Sequence, residues 1–423
     1  MSKTFCSFPF RHQYVETNGN KKICCVPREF IEKDDGYRHY NMKDGLFAGW
    51  NGEYMKDVRR KMIRGEKVTA CEKCYLLESQ KQMSLKQIAG DVLNKEKYLA
   101  DCDEDGKMKT MPNDIELHFG NVCNLKCKMC SHYFSHMIGR ELLAVEKEDP
   151  TFFKWVQAEG GHVNNWSTGD LTEVYDWFKD KAVLQKTFED IHLHVDSIRV
   201  IGGEPTIIPE FWQMFKYLSS QGSLKDKTIM LTTNGTNINP KMSEWFGEAG
   251  MVEIMISLDA LAERNKYIRY PSDWKTLLRN INHFKQMSDA KSTISHHIAP
   301  TPQLLNVDQL TDMALFFQDN GNPVFFNPDV VSPKILDYKY FPLGYKKIVI
   351  GKLQKNLTLV ENSTTREAIE RIIEVLKQDM DHDEIKQNCF NFVKYNDFMD
   401  KFRKTDSWRD LIPDLAEAIK EVL

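Results

Sequence analysis

The chain has 423 residues, enough for two or three domains with sizeable cores. Its 41% hydrophobic and 28% charged residues are an ordinary globular balance, and a net charge of -4 argues against the electropositive face that bulk nucleic-acid binding requires. The opening residues lack an apolar signal core and no apolar run is long enough to span a bilayer, so a soluble, cytoplasmic chain without a membrane partner is expected.

Residues 1–75 are rich in turn signals and carry a first group of cysteines, Cys6, Cys24, Cys25, Cys71 and Cys74. Within them, residues 45–65 (GLFAGWNGEYMKDVRRKMIRG) predict a short helix stopped at Gly65. A charged helical stretch over roughly 76–100 leads into the polar linker DCDEDGKMKTMPND, which places a boundary near residue 110. Apolar runs then alternate with helical patterns. The runs are IELHF (115–119), SIRVI (197–201), TIMLTT (228–233), EIMISL (253–258), ISHHIA (294–299) and PVFFN (323–327). Amphipathic stretches such as PEFWQMFKYLSSQ and WKTLLRNINHFKQM separate them. Strand alternating with helix predicts an α/β fold with a parallel sheet and crossover helices. The number of units suggests a partial (β/α)6 TIM-like barrel, whose chemistry sits at the C-terminal ends of its strands.

The first crossover is unusually long. Residues 131–196 hold Trp155, Trp166, Trp177 and the stretch AEGGHVNNWSTGD, either as added scaffold or as a surface for a substrate or partner. From about 336 the tail is helical, most clearly in REAIERIIEVLKQDM. The expected division is a small N-terminal cysteine-rich domain (1–110), the barrel (111–335) and a helical C-terminal region (336–423).

Ten cysteines in a chain without a secretion signal are poorly explained by disulfides, and grouped cysteines in a reducing compartment more often bind metal. The second group is Cys123, Cys127 and Cys130, spaced C-x3-C-x2-C just after the first predicted strand. Three thiolates on a loop suit an iron–sulfur cube and leave one iron open for a small molecule. The competing reading is zinc, with His132 as the fourth ligand. Later strands end in IGGEPT (Gly202, Gly203, Glu204), in TTNGT (Thr233, Asn234) and in ISLDA (Ser257, Asp259), and Arg269 follows in KYIRYP. Taken singly, the first two are turns and the third is a helix cap.

In this order, each after a strand, these motifs over roughly residues 112–330 resemble the radical S-adenosylmethionine (SAM) superfamily. The resemblance implies that Cys123, Cys127 and Cys130 hold a 4Fe–4S cluster whose open iron is chelated by the amino and carboxylate groups of SAM. It places Met129 near the adenine, Gly202, Gly203 and Glu204 at the methionine ammonium, Ser257 and Arg269 at its carboxylate, and Asp259 near the ribose. Thr233 and Asn234 are further neighbours of SAM. The implied chemistry is reductive cleavage of SAM to methionine and a 5′-deoxyadenosyl radical, which takes a hydrogen atom from a substrate. An electron donor such as a flavodoxin or ferredoxin is implied with it.

Cys6, Cys24, Cys71 and Cys74, with Cys25 the alternative to Cys24, offer four thiolates, which suit either zinc or a fully ligated 4Fe–4S cluster. The spacing Gly19 to Cys24, the Trp-containing helix with an arginine and the Cys-x2-Cys resemble the twitch and SPASM auxiliary-cluster domains of radical SAM enzymes. In those enzymes the domain usually follows the barrel; here it precedes it. That resemblance implies one auxiliary cluster and a peptide or protein side chain as substrate. The alternatives are a small molecule or carbohydrate, and a non-catalytic zinc-binding adaptor. Cys102 and Cys389 stand outside both groups. Cys389, beside Phe390 and Phe392, is the better candidate for a thiol hydrogen donor, and burial as an inert core residue is the competing role.

Overall fold

The computed structural model describes residues 4–79, 83–88, 95–160, 163, 170–326 and 333–423. Trp166, most of AEGGHVNNWSTGD, parts of the charged 76–100 stretch and Asn327 lie outside the described residues.

In chain order, the elements that frame the site begin with strands β1 (His12–Val15) and β2 (Lys21–Lys22), then helix α1 (Glu53–Arg64). Next come β3 (Asp114–His118), β4 (Lys126–Cys127), α2 (His136–Glu148), α3 (Pro150–Glu159) and α4 (Lys181–His194). β5 (Ser197–Ile201), α5 (Pro209–Ser220), β6 (Thr228–Thr233) and β7 (Met251–Ile256) follow. The chain continues through α6 (Ala262–Ile268), β8 (Arg269–Tyr270), α7 (Trp274–Ala290) and β9 (Ile294–Ile298). Its C-terminal helices are α8 (Leu310–Asp319), α9 (Leu343–Lys355), α10 (Ser363–Leu376), α11 (His382–Arg403) and α12 (Pro413–Lys420).

Two compact units divide the chain. The first comprises residues 1–122, 174–231 and 241–253, and the second 123–173, 232–240 and 254–423. β6 and β7 each pass from one to the other.

The first unit is built on a mostly parallel sheet. β3 pairs with β5 and β5 with β6, all parallel, in register from Asp114↔Ser197 and Ser197↔Thr228. Alternation along these strands puts Ile115, Leu117, Ile198, Val200, Ile229 and Leu231 on one face, all essentially buried. The opposite face carries Glu116, His118 and Arg199. β1 extends the sheet parallel to β3, with His12 opposite Asp114, and β2 returns antiparallel to β1. The N-terminal segment therefore contributes strands to the main sheet of this unit. Nothing in HQYV announces that, because a short run with two polar residues carries no clear alternation.

α1 forms where the 45–65 pattern places a helix. Glu53 opens it, Lys61 and Arg64 close it against the dipole, and Gly65 ends it in the left-handed conformation. Its Arg59 is fully buried. The guanidinium lies over the Trp50 ring at 4.2 Å and donates to the carbonyls of Pro9 (2.7 Å), Trp50 (2.7 Å) and Gly106 (3.0 Å) and to Asn51 Oδ1 (3.1 Å). One side chain thus ties together three separated segments around an apolar core of Phe5, Phe10, Ile23, Trp50, Met55, Val58 and Met62.

The second unit holds the ends of β6 and β7 and β9. The ladder continues there through Ser257 N–H to the Thr233 carbonyl (2.8 Å) and Ala299 N–H to the Ile256 carbonyl (2.8 Å). The run PVFFN is not the sixth strand that the alternation suggests. It makes only an isolated parallel bridge, Ile298↔Val324. Pro323 has no N–H to carry a ladder backwards.

The Arg59 clamp is testable. Replacing it by Leu should lower the urea-unfolding free energy by about 3 kcal/mol, since carbonyls lose a charged donor in a buried place. Lys at this position should recover only part, because an ammonium cannot span the same fork. Equal stability of all three proteins would show that the clamp is dispensable.

Candidate metal centre

The loop after β3 is held at its base by close backbone approach. Phe119 packs between Trp177, Phe178 and Phe211, with ring centroids 5.7–5.9 Å apart. Gly120 follows at φ +61°, and a Cβ there would lie 1.9 Å from the Tyr175 carbonyl. Asn121 Oδ1 accepts from Tyr175 N–H (2.9 Å). The turn after β5 comes equally close: Gly203 N–H donates to the Gly120 carbonyl (3.0 Å) and Glu204 N–H to the Val122 carbonyl (2.8 Å). A Cβ on Gly203 would sit 2.1 Å from that Val122 oxygen. Both glycines of IGGEPT are therefore required by the backbone, Gly202 by its φ of +125° and Gly203 by space. Glu204 is fully buried, and its carboxylate accepts from Thr206 N–H (3.1 Å) and the Thr206 hydroxyl (2.7 Å).

In the second unit Cys123, Cys127 and Cys130 lie on one half-buried loop. Cys123 N–H donates to His136 Nδ1 (3.3 Å), and Ser135 Oγ donates to the Leu125 carbonyl (2.7 Å). A two-stranded ribbon, β4 with β8, sets Cys127 directly opposite Arg269. The Arg269 guanidinium is 3.9 Å from Cys127 Sγ and 2.7 Å from Asp259 Oδ2. Asp259 is fully buried and also accepts from Thr301 N–H (2.7 Å). Burial by itself would lower the Arg269 pKa, but Asp259 and Cys127 outweigh it and hold the guanidinium charged. Burial raises the pKa of both Cys127 and Cys130; Arg269 counters it at Cys127, while the neighbouring thiols add to it at Cys130. Without a metal these are neutral thiols, and binding one releases their protons. Asn234 Nδ2 donates to Asn124 Oδ1 (2.8 Å), and Asn124 in turn donates to Thr236 Oγ1 (2.8 Å). Thr233 Oγ1 accepts from Gly235 N–H (3.1 Å). Ser257 and Met129 are half-buried in the same unit.

Residues 117–301 match the family model of the radical SAM superfamily. The matched segment, somewhat under half of the chain, is similar to that superfamily. A mycofactocin maturase of Mycobacterium ulcerans is 30% identical over 123 residues, covering 29% of this chain and 31% of that one. A GTP 3′,8-cyclase of Saccharophagus degradans is 29% identical over 146 residues, covering 34% and 42%. The chain thus spans well under two thirds of the length of these curated relatives. Among solved structures, Streptococcus suis SuiB bound to S-adenosylmethionine aligns at a TM-score of 0.37 and 15% identity, over 79% of this chain and 66% of that one. The anSMEcpe enzyme with bound AdoMet and a peptide also aligns at 0.37 and 15%, over 59% and 60%.

Radical SAM proteins bind a 4Fe–4S cluster and SAM, and the donor chemistry of the 123–130 loop fits that pair. It offers three thiols on one loop, with a guanidinium beside one of them. Among the described residues, no three His, Cys, Asp or Glu side chains are grouped so as to hold a single metal ion. A cube makes no such demand, because each thiolate binds a different iron. His132, the alternative zinc ligand, is buried, and burial lowers its pKa.

The N-terminal cysteines lie in the first unit. Cys6, Cys24 and Cys74 are buried and Cys71 is half-buried. Cys24 and Cys71 are each within electrostatic reach of Cys6, and Cys6 and Cys71 of Cys74. Burial pushes Cys6 up to about 11 and Cys71 up to about 12. Cys25 is exposed, and Glu116, Arg199 and Cys74 lie within electrostatic reach of it. Cys102, in a linker that reads as polar, packs against the apolar core around Cys6. Cys389 has no exposed surface, and burial alone pushes its thiol up to about 12. That environment suits a packing role.

Asn124, His136 and the β4–β8 ribbon escape a reading of motifs. Asn124 sits inside the cysteine spacing and could have been suspected on that ground. The others carry no local signal.

Anaerobically reconstituted protein should hold about eight irons per chain, and a Cys123/Cys127/Cys130→Ala variant about four, if each group binds one cube. Saturation at about four irons plus one zinc would assign the N-terminal cysteines to zinc.

Proposed function

We propose that this chain is a radical SAM enzyme in which Cys123, Cys127 and Cys130 hold the SAM-binding 4Fe–4S cluster. The observation that carries this is the C-x3-C-x2-C loop, lying within the matched segment, with Cys127 paired in a ribbon to Arg269. When bound, the cluster and SAM supply a 5′-deoxyadenosyl radical by reductive cleavage of a C–S bond.

The chain's own residues then have positional work. Arg269, already charged and held by Asp259, presents its remaining N–H groups to an anion; the methionine carboxylate is the one proposed. Glu204 is fixed by Thr206, and the Gly202–Gly203 turn leaves no side chain between it and the cysteine loop's base. These are the features a ligand ammonium needs: a buried acceptor and open backbone. Ser257, Thr233, Asn234 and Met129 are assigned to the remainder of SAM. Asp259 is better described as the partner that positions Arg269 than as a ribose ligand, because both of its oxygens are engaged.

Cys6, Cys24, Cys71 and Cys74 are assigned to one auxiliary cluster. Their mutual electrostatic proximity supports this set, and the burial of Cys24 against the exposure of Cys25 supports Cys24 over it. The proposed substrate is a peptide or protein side chain, with a small redox protein such as a flavodoxin or ferredoxin as electron donor. A small-molecule or carbohydrate substrate is the second reading; the partial similarity to a GTP 3′,8-cyclase is what keeps it beside the first.

With dithionite and SAM, reconstituted enzyme should release 5′-deoxyadenosine slowly even without substrate. The triple cysteine variant should release none, and undiminished release would refute the assignment.

Arg269→Lys keeps a charge opposite Asp259 and loses the fork. Loss of a charge-assisted hydrogen bond costs roughly 1.5–3 kcal/mol, so SAM should bind about ten- to a hundred-fold more weakly with iron content retained. Unchanged SAM affinity would remove Arg269 from the site.

A further inference from the structure

Lys128 lies between two of the proposed cluster ligands, yet its side chain turns away from solvent. It is 8% exposed, and its backbone N–H donates to the Ile268 carbonyl (2.9 Å). Its ammonium donates to Asn396 Oδ1 (2.8 Å), stands 3.5 Å from Asp400 Oδ1 and lies 3.9 Å over the ring of Tyr267. Tyr267 Oη donates to the same Asp400 oxygen (2.9 Å), and Trp408 N–H donates to the other (3.0 Å). A second connection runs beside the first. Glu141 accepts from Lys126 (2.8 Å) and, with both oxygens, from Arg403 (2.9 and 2.5 Å). The side chains of Glu141 and Arg403 are 3% and 6% exposed.

Asn396, Asp400 and Arg403 are spaced i, i+4, i+7 and so share one face of α11. That face holds Lys128 directly and reaches Lys126 through Glu141 of α2. Removing several charges from water is costly, and an apolar contact of the same size would often be at least as stable. What an ion-paired, hydrogen-bonded contact adds is a defined register and orientation.

We propose that α11 is a positioning element for the cysteine loop. By fixing Lys128 directly, and Lys126 through Glu141, it sets the placement of Cys127 and Cys130, and through them the electronic environment of the group they hold. Asn396 and Asp400 are positioning residues in this scheme, 268 and 272 residues distant from Lys128 in sequence. This rests on the cluster assignment made above.

The test uses the full chain, reconstituted anaerobically, reduced with dithionite and followed by low-temperature EPR with and without SAM. The SAM-responsive part of the spectrum reports the cluster with an open iron. Asn396→Ala/Asp400→Asn should shift the g values of that part or diminish it. Should this variant fail to fold, Lys128→Met/Asp400→Asn removes both charges together, leaves no unpaired buried ion and should produce the same shift. The control is Asp397→Asn on the same helix, which loses its pairing with Arg409 and Trp408 Nε1. It should lower the thermal midpoint and leave the EPR spectrum as in wild type. A wild-type spectrum from the variants that fold overturns the proposal. So does an equal shift in the Asp397 control, which would reduce the effect to general stability. Wild-type protein without any SAM-responsive signal overturns the cluster assignment itself, and this proposal with it.

Discussion

The second unit depends on what surrounds one guanidinium. Arg269 is buried, and a buried cation is tolerable only with an opposite charge at hand. Asp259 supplies it from just beyond the end of β7, and the 299–301 turn holds Asp259 in place through Thr301. On its other side Arg269 is joined to Cys127 through the β4–β8 ribbon. A cysteine loop, a strand end, a short ribbon and a turn are thereby referenced to a single charge. The cost of disturbing any of them is the cost of leaving Arg269 or Asp259 unpaired. A site that must hold a charged ligand in fixed orientation benefits from such an arrangement, because the electrostatic field is present before the ligand arrives.

The first unit solves a similar problem differently. The Arg59 charge is compensated by carbonyl dipoles and the face of Trp50. That serves to gather loops rather than to present charge. It also explains how a segment poor in regular structure can have a core of its own. Cys6 belongs to that core, Cys71 packs against it, and burial disfavours the free thiolates of Cys6, Cys24 and Cys71. Metal binding would stabilise such buried thiols in ionised form.

Local chemistry leaves marks in a sequence, and those marks proved informative. Five of the six apolar runs are strands at nearly the expected limits, because alternation and β-branched content report a strand with one buried face. α1 ends at Gly65 because only glycine takes the left-handed turn without penalty. The cysteine spacing and the GGE turn are equally local, since ligand spacing and close backbone approach are both set within a few residues. The failed run, PVFFN, contains apolar residues in the right number, but its proline removes a donor and tertiary context supplies only a single bridge.

What the sequence determined by itself was thus the strand-by-strand frame, with the cysteine loop and the glycine turn placed just after its strands. The tertiary structure decided which distant residues meet. That β1 joins the main sheet beside β3, that Asp259 pairs with Arg269, and that Asn396 and Asp400 reach Lys128 all depend on contacts between segments far apart in the chain. Such contacts leave no periodicity and no motif. An asparagine or aspartate on a long helix reads as a solvated residue until the fold buries it against a lysine. The physical reason is that spacing encodes only what the backbone brings together locally, whereas charge pairing in the interior is settled by the way the elements pack.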